Sequence, residues 1–130
     1  ISEFPIVANA MVGLPYKYSF NAVWAPGDWQ LSGVKKLNVQ DGTSSEFDFG
    51  DNCYGSEAVV ALRPDHTSED DGYVITFVTD MNSNSSECLI LDAKDIAAGP
   101  LARIVLPERI VTGTHACWVE AERYQGEVAA

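Results

Sequence analysis

The stretch Tyr73-Val74-Ile75-Thr76-Phe77-Val78-Thr79, then Asn82-Ser83-Asn84-Ser85-Ser86, then Cys88-Leu89-Ile90-Leu91, decides the fold class. Its first part is a continuous apolar, β-branched and aromatic run, the pattern of a strand buried on both faces. The polar middle is a turn, and the last part is a second strand. The spacing predicts a β-hairpin with a five-residue loop.

Outward from this hairpin, other strand-like segments alternate with turn signals. Tyr16 to Trp24 is rich in aromatics and stops at Ala25-Pro26-Gly27-Asp28. Leu31 to Val39 follows, and Gln40-Asp41-Gly42 turns it into Ser45 to Phe49, with Phe47 and Phe49 on one face. Glu57 to Leu62 is bounded by Tyr54-Gly55 and Arg63-Pro64, and Ala102 to Leu106 and Cys117 to Ala121 complete the set. Asp92 to Ala98 is the only helical piece expected, with Asp92 as its cap and Gly99-Pro100 as its end. About eight strands at this spacing predict an all-β sandwich or propeller. A propeller blade takes about 40–45 residues, so the chain has room for two blades and part of a third.

The composition narrows the function classes. Eight Lys and Arg against nineteen Asp and Glu leave a net charge of −11. Such a surface repels phosphate backbones, which excludes nucleic acid as a partner. Neutral apolar molecules and cations remain possible ligands. The three cysteines, Cys53, Cys88 and Cys117, are widely spaced and form no C-x-x-C pair. They support neither a disulfide scaffold nor a zinc ribbon and favour a reducing, cytoplasmic setting. The chain opens on Ile1 and not Met, which we read as a processed or partial polypeptide.

Few residues can carry chemistry. The two imidazoles are His66, in the polar loop Pro64-Asp65-His66-Thr67, and His115, where a loop passes into an apolar segment. His66 reads as a surface residue. Residue chemistry alone leaves two readings of His115: a packed, hydrogen-bonded histidine, or a ligand. His115 and Cys117 would share a strand face, but two donors make no zinc site. The acidic loop Glu69-Asp70-Asp71-Gly72 lacks the alternating oxygens of an EF-hand and reads as a solvated turn. Glu57 heads the apolar run Ala58-Val59-Val60-Ala61-Leu62, where a carboxylate needs a partner.

Several segments, taken in order, carry a family resemblance. They are Glu3-Phe4-Pro5, Gly13-x-Pro15-Tyr16-x-Tyr18, Ser56-Glu57-Ala58-Val59, Glu69-Asp70-Asp71-Gly72-Tyr73, Leu89-Ile90-Leu91-Asp92-Ala93-Lys94-Asp95, and Leu106-Pro107-Glu108-Arg109-Ile110 through His115. Together they resemble the C-terminal part of the carotenoid cleavage oxygenases, a family that includes lignostilbene dioxygenases and a retinoid isomerase. The resemblance covers about residues 3 to 119 and treats 1–130 as one C-terminal segment.

The resemblance implies antiparallel blades of a seven-bladed β-propeller, with iron(II) held on its axis by four histidines. His115 matches the last of these ligands. Glu3 and Glu57 match glutamates that hydrogen-bond to ligand imidazoles, and such a carboxylate fixes ring tautomer and orientation. The implied reaction is oxidative cleavage of a C=C bond in a conjugated apolar carotenoid, apocarotenoid or stilbene-type substrate, with O2 as co-substrate. The segment departs from the family motif at Ile6, Val111, Thr114 and Ala116. One imidazole cannot hold iron as four do, so the isolated chain is expected to bind no iron stably and to be inactive. Open sheet edges would favour self-association or pairing with an N-terminal part, and peripheral membrane association is compatible with the family. The alternative from another class is a stand-alone β domain that binds or scaffolds without catalysis.

Overall fold

The computed structural model describes residues 1–111, 113 and 115–121. Thr112 and Thr114 lie outside the described residues, as do residues 122–130. Within them the chain forms nine strands in one antiparallel sheet. These are β1 (Ser2–Ile6), β2 (Tyr18–Trp24), β3 (Leu31–Asn38), β4 (Ser44–Asp48), β5 (Cys53–Gly55), β6 (Val59–Leu62), β7 (Gly72–Asp80), β8 (Ser85–Asp92) and β9 (Pro100–Val105).

The sheet divides into two antiparallel groups, of four and of five strands. One is β1-β2-β3-β4, paired by consecutive antiparallel ladders. In the other, β5 and β6 together line one edge of β7, and β8 and β9 follow on its far side. A single bridge, Leu31 opposite Gly55, joins the two. Phe20, Val34, Phe49, Val74, Val78, Leu89, Leu91 and Ile96 form the common core.

The deciding hairpin is present as β7–β8, with strands longer than expected and a turn of four residues, Met81 to Asn84. Asn84 takes φ +54°, a conformation Asn tolerates better than most side chains. The expectation of burial on both faces is not met. Val74, Thr76 and Val78 are buried, whereas Tyr73 and Ile75 are only half-buried and Phe77 is exposed. Among the described residues that second apolar face is covered only in part, with Arg63 4.5 Å over the Tyr73 ring and Trp118 lining the same groove.

Two other expectations need correction. Asp92 to Ala98 is not a helix: Asp92 ends β8, and only Ile96–Ala98 makes a 3-10 turn. Asp92 Oδ1 accepts the Lys94 N–H at 2.9 Å, a local turn that leaves Ala93 and Ile96 free to enter the core. Cys117 to Ala121 is no strand either. That segment finds no ladder partner among the described residues and is tied down by Asn9 Nδ2 donating to the Trp118 carbonyl at 2.9 Å.

The acidic loop is also not a solvated turn. Asp70 is buried, and Lys36 Nζ lies 2.6 Å from its Oδ2. Asp71 receives Arg63 at 2.9 Å and Lys94 at 3.0 Å, while Glu69 Oε1 accepts the Lys17 N–H at 2.7 Å. The loop therefore pins the first group of strands to the second through the Lys36 ammonium and the Lys17 N–H, both far away in sequence.

Candidate functional site

Two β-bulges converge on His115. The first interrupts β1: Glu3 pairs with Ala22 and Ile6 with Phe20, so Phe4 and Pro5 stand opposite Asn21 alone. Phe4 sits at the bulge with φ +53°, a left-handed conformation that costs a bulky side chain on the order of 1–3 kcal/mol. Its ring meets the His115 imidazole edge-on, with centroids 5.8 Å apart and planes at 89°. Trp24 backs Phe4 from the other side at 6.2 Å.

The second bulge separates β5 from β6. Gly55 pairs with Val78 and Val59 with Ile75, so Ser56, Glu57 and Ala58 stand opposite only Thr76 and Phe77. A bulge of this kind re-aims a side chain. Here it turns the Glu57 carboxylate, 10% exposed, toward residues 115 and 116. Glu57 Oε1 lies 2.9 Å from His115 Nδ1, and Oε2 accepts the Ala116 N–H at 2.9 Å. The sequence placed Glu57 at the head of a strand; the structure places it in the gap before one.

This grip fixes the chemistry of the ring. A carboxylate only accepts, so Nδ1 carries the proton donated to Glu57, and in the neutral ring the lone pair is left on Nε2. The His115 side chain is 80% exposed, and no partner occupies Nε2 among the described residues. The result is an imidazole with a fixed tautomer and orientation and one open nitrogen, the form a metal requires. Ala116 contributes through its backbone, so its methyl group does not disturb the grip.

The other candidates fall elsewhere. Glu3 is exposed and lines a hollow of about 410 Å³ with Trp24, Asp28 and Trp29, with no hydrogen bond to His115. His66 is exposed, with Nδ1 3.0 Å from the Arg63 carbonyl. Cys117 is exposed. Among the described residues no three His, Cys, Asp or Glu side chains gather as metal donors. The residues fit one corner of a metal centre, and further donors would have to come from outside them. Phe4 and the buried hydroxyls behind Glu57 escaped the sequence reading. Thr76, a lone hydroxyl inside an apolar run, was the available signal.

Comparison with known proteins sets this geometry in context. The profile of the retinal pigment epithelial membrane protein family matches residues 1–120. The chain is 44% identical over 96 residues to a carotenoid 9,10(9',10')-cleavage dioxygenase of Crocus sativus, covering 72% of this chain and 18% of that one. It is 31% identical over 120 residues to the apocarotenoid-15,15'-oxygenase of Synechocystis, covering 91% of this chain and 24% of the relative. The chain thus spans about a fifth to a quarter of the relatives it matches.

Among solved structures, a variant of the Synechocystis apocarotenoid oxygenase superposes with a TM-score of 0.86 at 30% identity, over 92% of this chain and 26% of that one. The lignostilbene dioxygenase of Pseudomonas brassicacearum gives 0.83 at 27% identity, over 91% of this chain and 27% of that one. The all-β antiparallel sheet is accordingly part of a carotenoid-oxygenase propeller, and the chain belongs to the retinal pigment epithelial membrane protein family, the carotenoid cleavage oxygenases.

Proposed function

We propose that this chain supplies His115 Nε2 as one ligand of a ferrous centre in a dioxygenase that cleaves a C=C bond of a carotenoid, apocarotenoid or stilbene-type substrate. The observation that supports this most is the two-armed grip of Glu57 on His115 Nδ1 and the Ala116 N–H. Imidazole-only ligation suits iron(II) that must keep positions open for dioxygen. When bound, the metal would activate dioxygen beside the alkene, and two carbonyl products would result.

The chain's own residues do the rest of the work assigned to it. Glu57 holds the proton on Nδ1 and so keeps the lone pair on Nε2. Phe4 packs edge-on against the imidazole and limits its rotation. We assign Glu3, by the family resemblance, the role of accepting from another ligand imidazole outside the described residues. The open apolar side of β7–β9, a groove of about 860 Å³ lined in part by Tyr73, Ile75, Ile90, Leu101 and Trp118, suits packing against the rest of a propeller. That would supply the remaining ligands, and the chain alone would not turn over. No helix among the described residues is long and apolar enough to cross a membrane.

The test uses the natural protein that carries this segment. We expect H115A to abolish iron loading, and E57Q to weaken iron affinity or turnover by about 10–100-fold. Full iron occupancy and product formation in H115A would return His115 to a structural role.

A further inference from the structure

Bulges leave orphan backbone groups, and the way the Ser56–Ala58 bulge satisfies them singles out one residue on the neighbouring strand. Thr76 is 1% exposed and stands directly opposite the bulge. Its hydroxyl donates to the Ser56 carbonyl at 3.1 Å and approaches the Glu57 carbonyl at 3.5 Å. Ser56 completes the circuit. Its N–H donates to the Phe77 carbonyl at 2.9 Å, its hydroxyl donates to the Glu57 carbonyl at 3.1 Å, and the same hydroxyl accepts the Phe77 N–H at 3.4 Å.

Four side-chain contacts thus replace the ladder where the extra residue breaks it. A Val at position 76 would fit the apolar run equally well in shape, but it would leave the Ser56 carbonyl without that donor. The bulge also touches the far side of the site, since a Cβ added at Gly113 would meet Ser56 Cβ at 3.4 Å. Whatever fixes Ser56 and Glu57 therefore fixes the Glu57 carboxylate against His115 and Ala116.

We infer that Thr76 is a positioning residue for the proposed iron centre: its hydroxyl holds the Ser56–Glu57 bulge in the one conformation that aims Glu57 at His115. This rests on the reading of His115 as an iron ligand. Thr76 touches neither the metal nor substrate; it acts through Glu57, so its loss resembles a weak form of losing Glu57.

The experiment compares T76V, T76S and the core variant V74A in the natural protein, with two measurements. One is ferrous iron affinity by anaerobic competition with a chromophoric chelator. The other is hydrogen exchange of the Ala116 amide in metal-free protein, which reports the second arm of Glu57 without any metal. We expect T76V to weaken iron affinity about tenfold and to speed Ala116 exchange, while T76S, which keeps the hydroxyl, restores both. V74A should lower the melting temperature and leave both measurements alone. Wild-type values in T76V beside a weakened E57Q would overturn the role of Thr76 and leave the site reading intact. Equal effects of V74A and T76V would also overturn it, by reducing Thr76 to general packing. Unchanged iron affinity in H115A would instead remove the site reading, and Ala116 exchange would still decide whether Thr76 aims Glu57.

Discussion

Phe4 and His115 stand edge to face at 5.8 Å, and Phe4 reaches that position only by adopting φ +53°. A strained backbone is retained at a bulky residue when its side chain is needed where the strain puts it. The bulge in β1 therefore parallels the one that carries Glu57. In both, an irregular strand directs one side chain onto the same imidazole.

That strain makes a simple prediction. In an ordinary strand, Ala is better than Gly because Gly loses more freedom on folding. At Phe4 the order should invert. Phe4→Gly removes the ring and the strain together, whereas Phe4→Ala removes the ring and keeps the strain. We expect the Gly variant to be more stable than the Ala variant by about 1 kcal/mol in denaturant titrations. An Ala variant as stable as the Gly variant would mean that position 4 is unstrained.

The pair Lys36–Asp70 carries a second prediction. Both side chains are about nine-tenths buried at a separation of 2.6 Å, and Lys36 also lies 4.1 Å over the Tyr18 ring. Removing one member strands a buried charge, so Lys36→Met should cost about 3 kcal/mol. Replacing both, as Lys36→Met with Asp70→Leu, should recover most of that loss, because the desolvation penalty disappears with the charges. Equal damage by single and double variants would show that packing, not charge, holds this junction.

How much of this was legible in the sequence depends on how far apart the cooperating residues lie. The β7–β8 hairpin was legible because its pattern and its turn are contiguous. The match of Glu57 to a histidine-orienting glutamate came from family resemblance alone, because Glu57 and His115, 2.9 Å apart in the structure, lie 58 positions apart in sequence. The acidic loop misled because its partners, Lys17 and Lys36, are 52 and 34 residues away from Glu69 and Asp70. A local reading of charge sees only solvation there. Asp92 to Ala98 misled for the opposite reason: capping and stop signals were real, but core burial of Ala93 and Ile96 outweighed a marginal helix. The bulges were invisible because their signature is a register offset, which exists only once strands are paired.

Gly72 gives a third prediction. It opens β7 opposite Leu62, and a Cβ there would meet the Ala61 carbonyl oxygen and approach Leu62 Cα to 2.8 Å. Both are backbone atoms of a paired strand and cannot swing aside. Gly72→Ala should therefore push β6 away from β7 and cost about 1–3 kcal/mol. The melting temperature reads this directly. An unchanged value would mean that β6 can yield at that point without loss.

The last prediction concerns acid. Asp71 is held well below the ordinary carboxylate value of 3.8, first by its hydrogen bond from Lys94, then by the Thr67 N–H and by Arg63. Asp70 is also lowered: burial pushes it up, but hydrogen bonds from Lys36 and Ser68 and the Lys36 charge outweigh that. A carboxylate depressed in the native state binds its proton later than in the unfolded chain. As pH falls below the unfolded value, the unfolded state gains protons that the native state still refuses. The stabilisation is thus fully present well above the unfolded value, from about pH 5 upward, and is lost as pH drops through the native values. Asp71→Asn should be less stable than the parent at about pH 6, and the gap should narrow steadily as pH falls below about 4, where the unfolded chain takes up a proton that native Asp71 still refuses. Denaturant titrations across that range read the gap, and a difference that stays constant with pH would assign the effect of Asp71 to shape and not to charge.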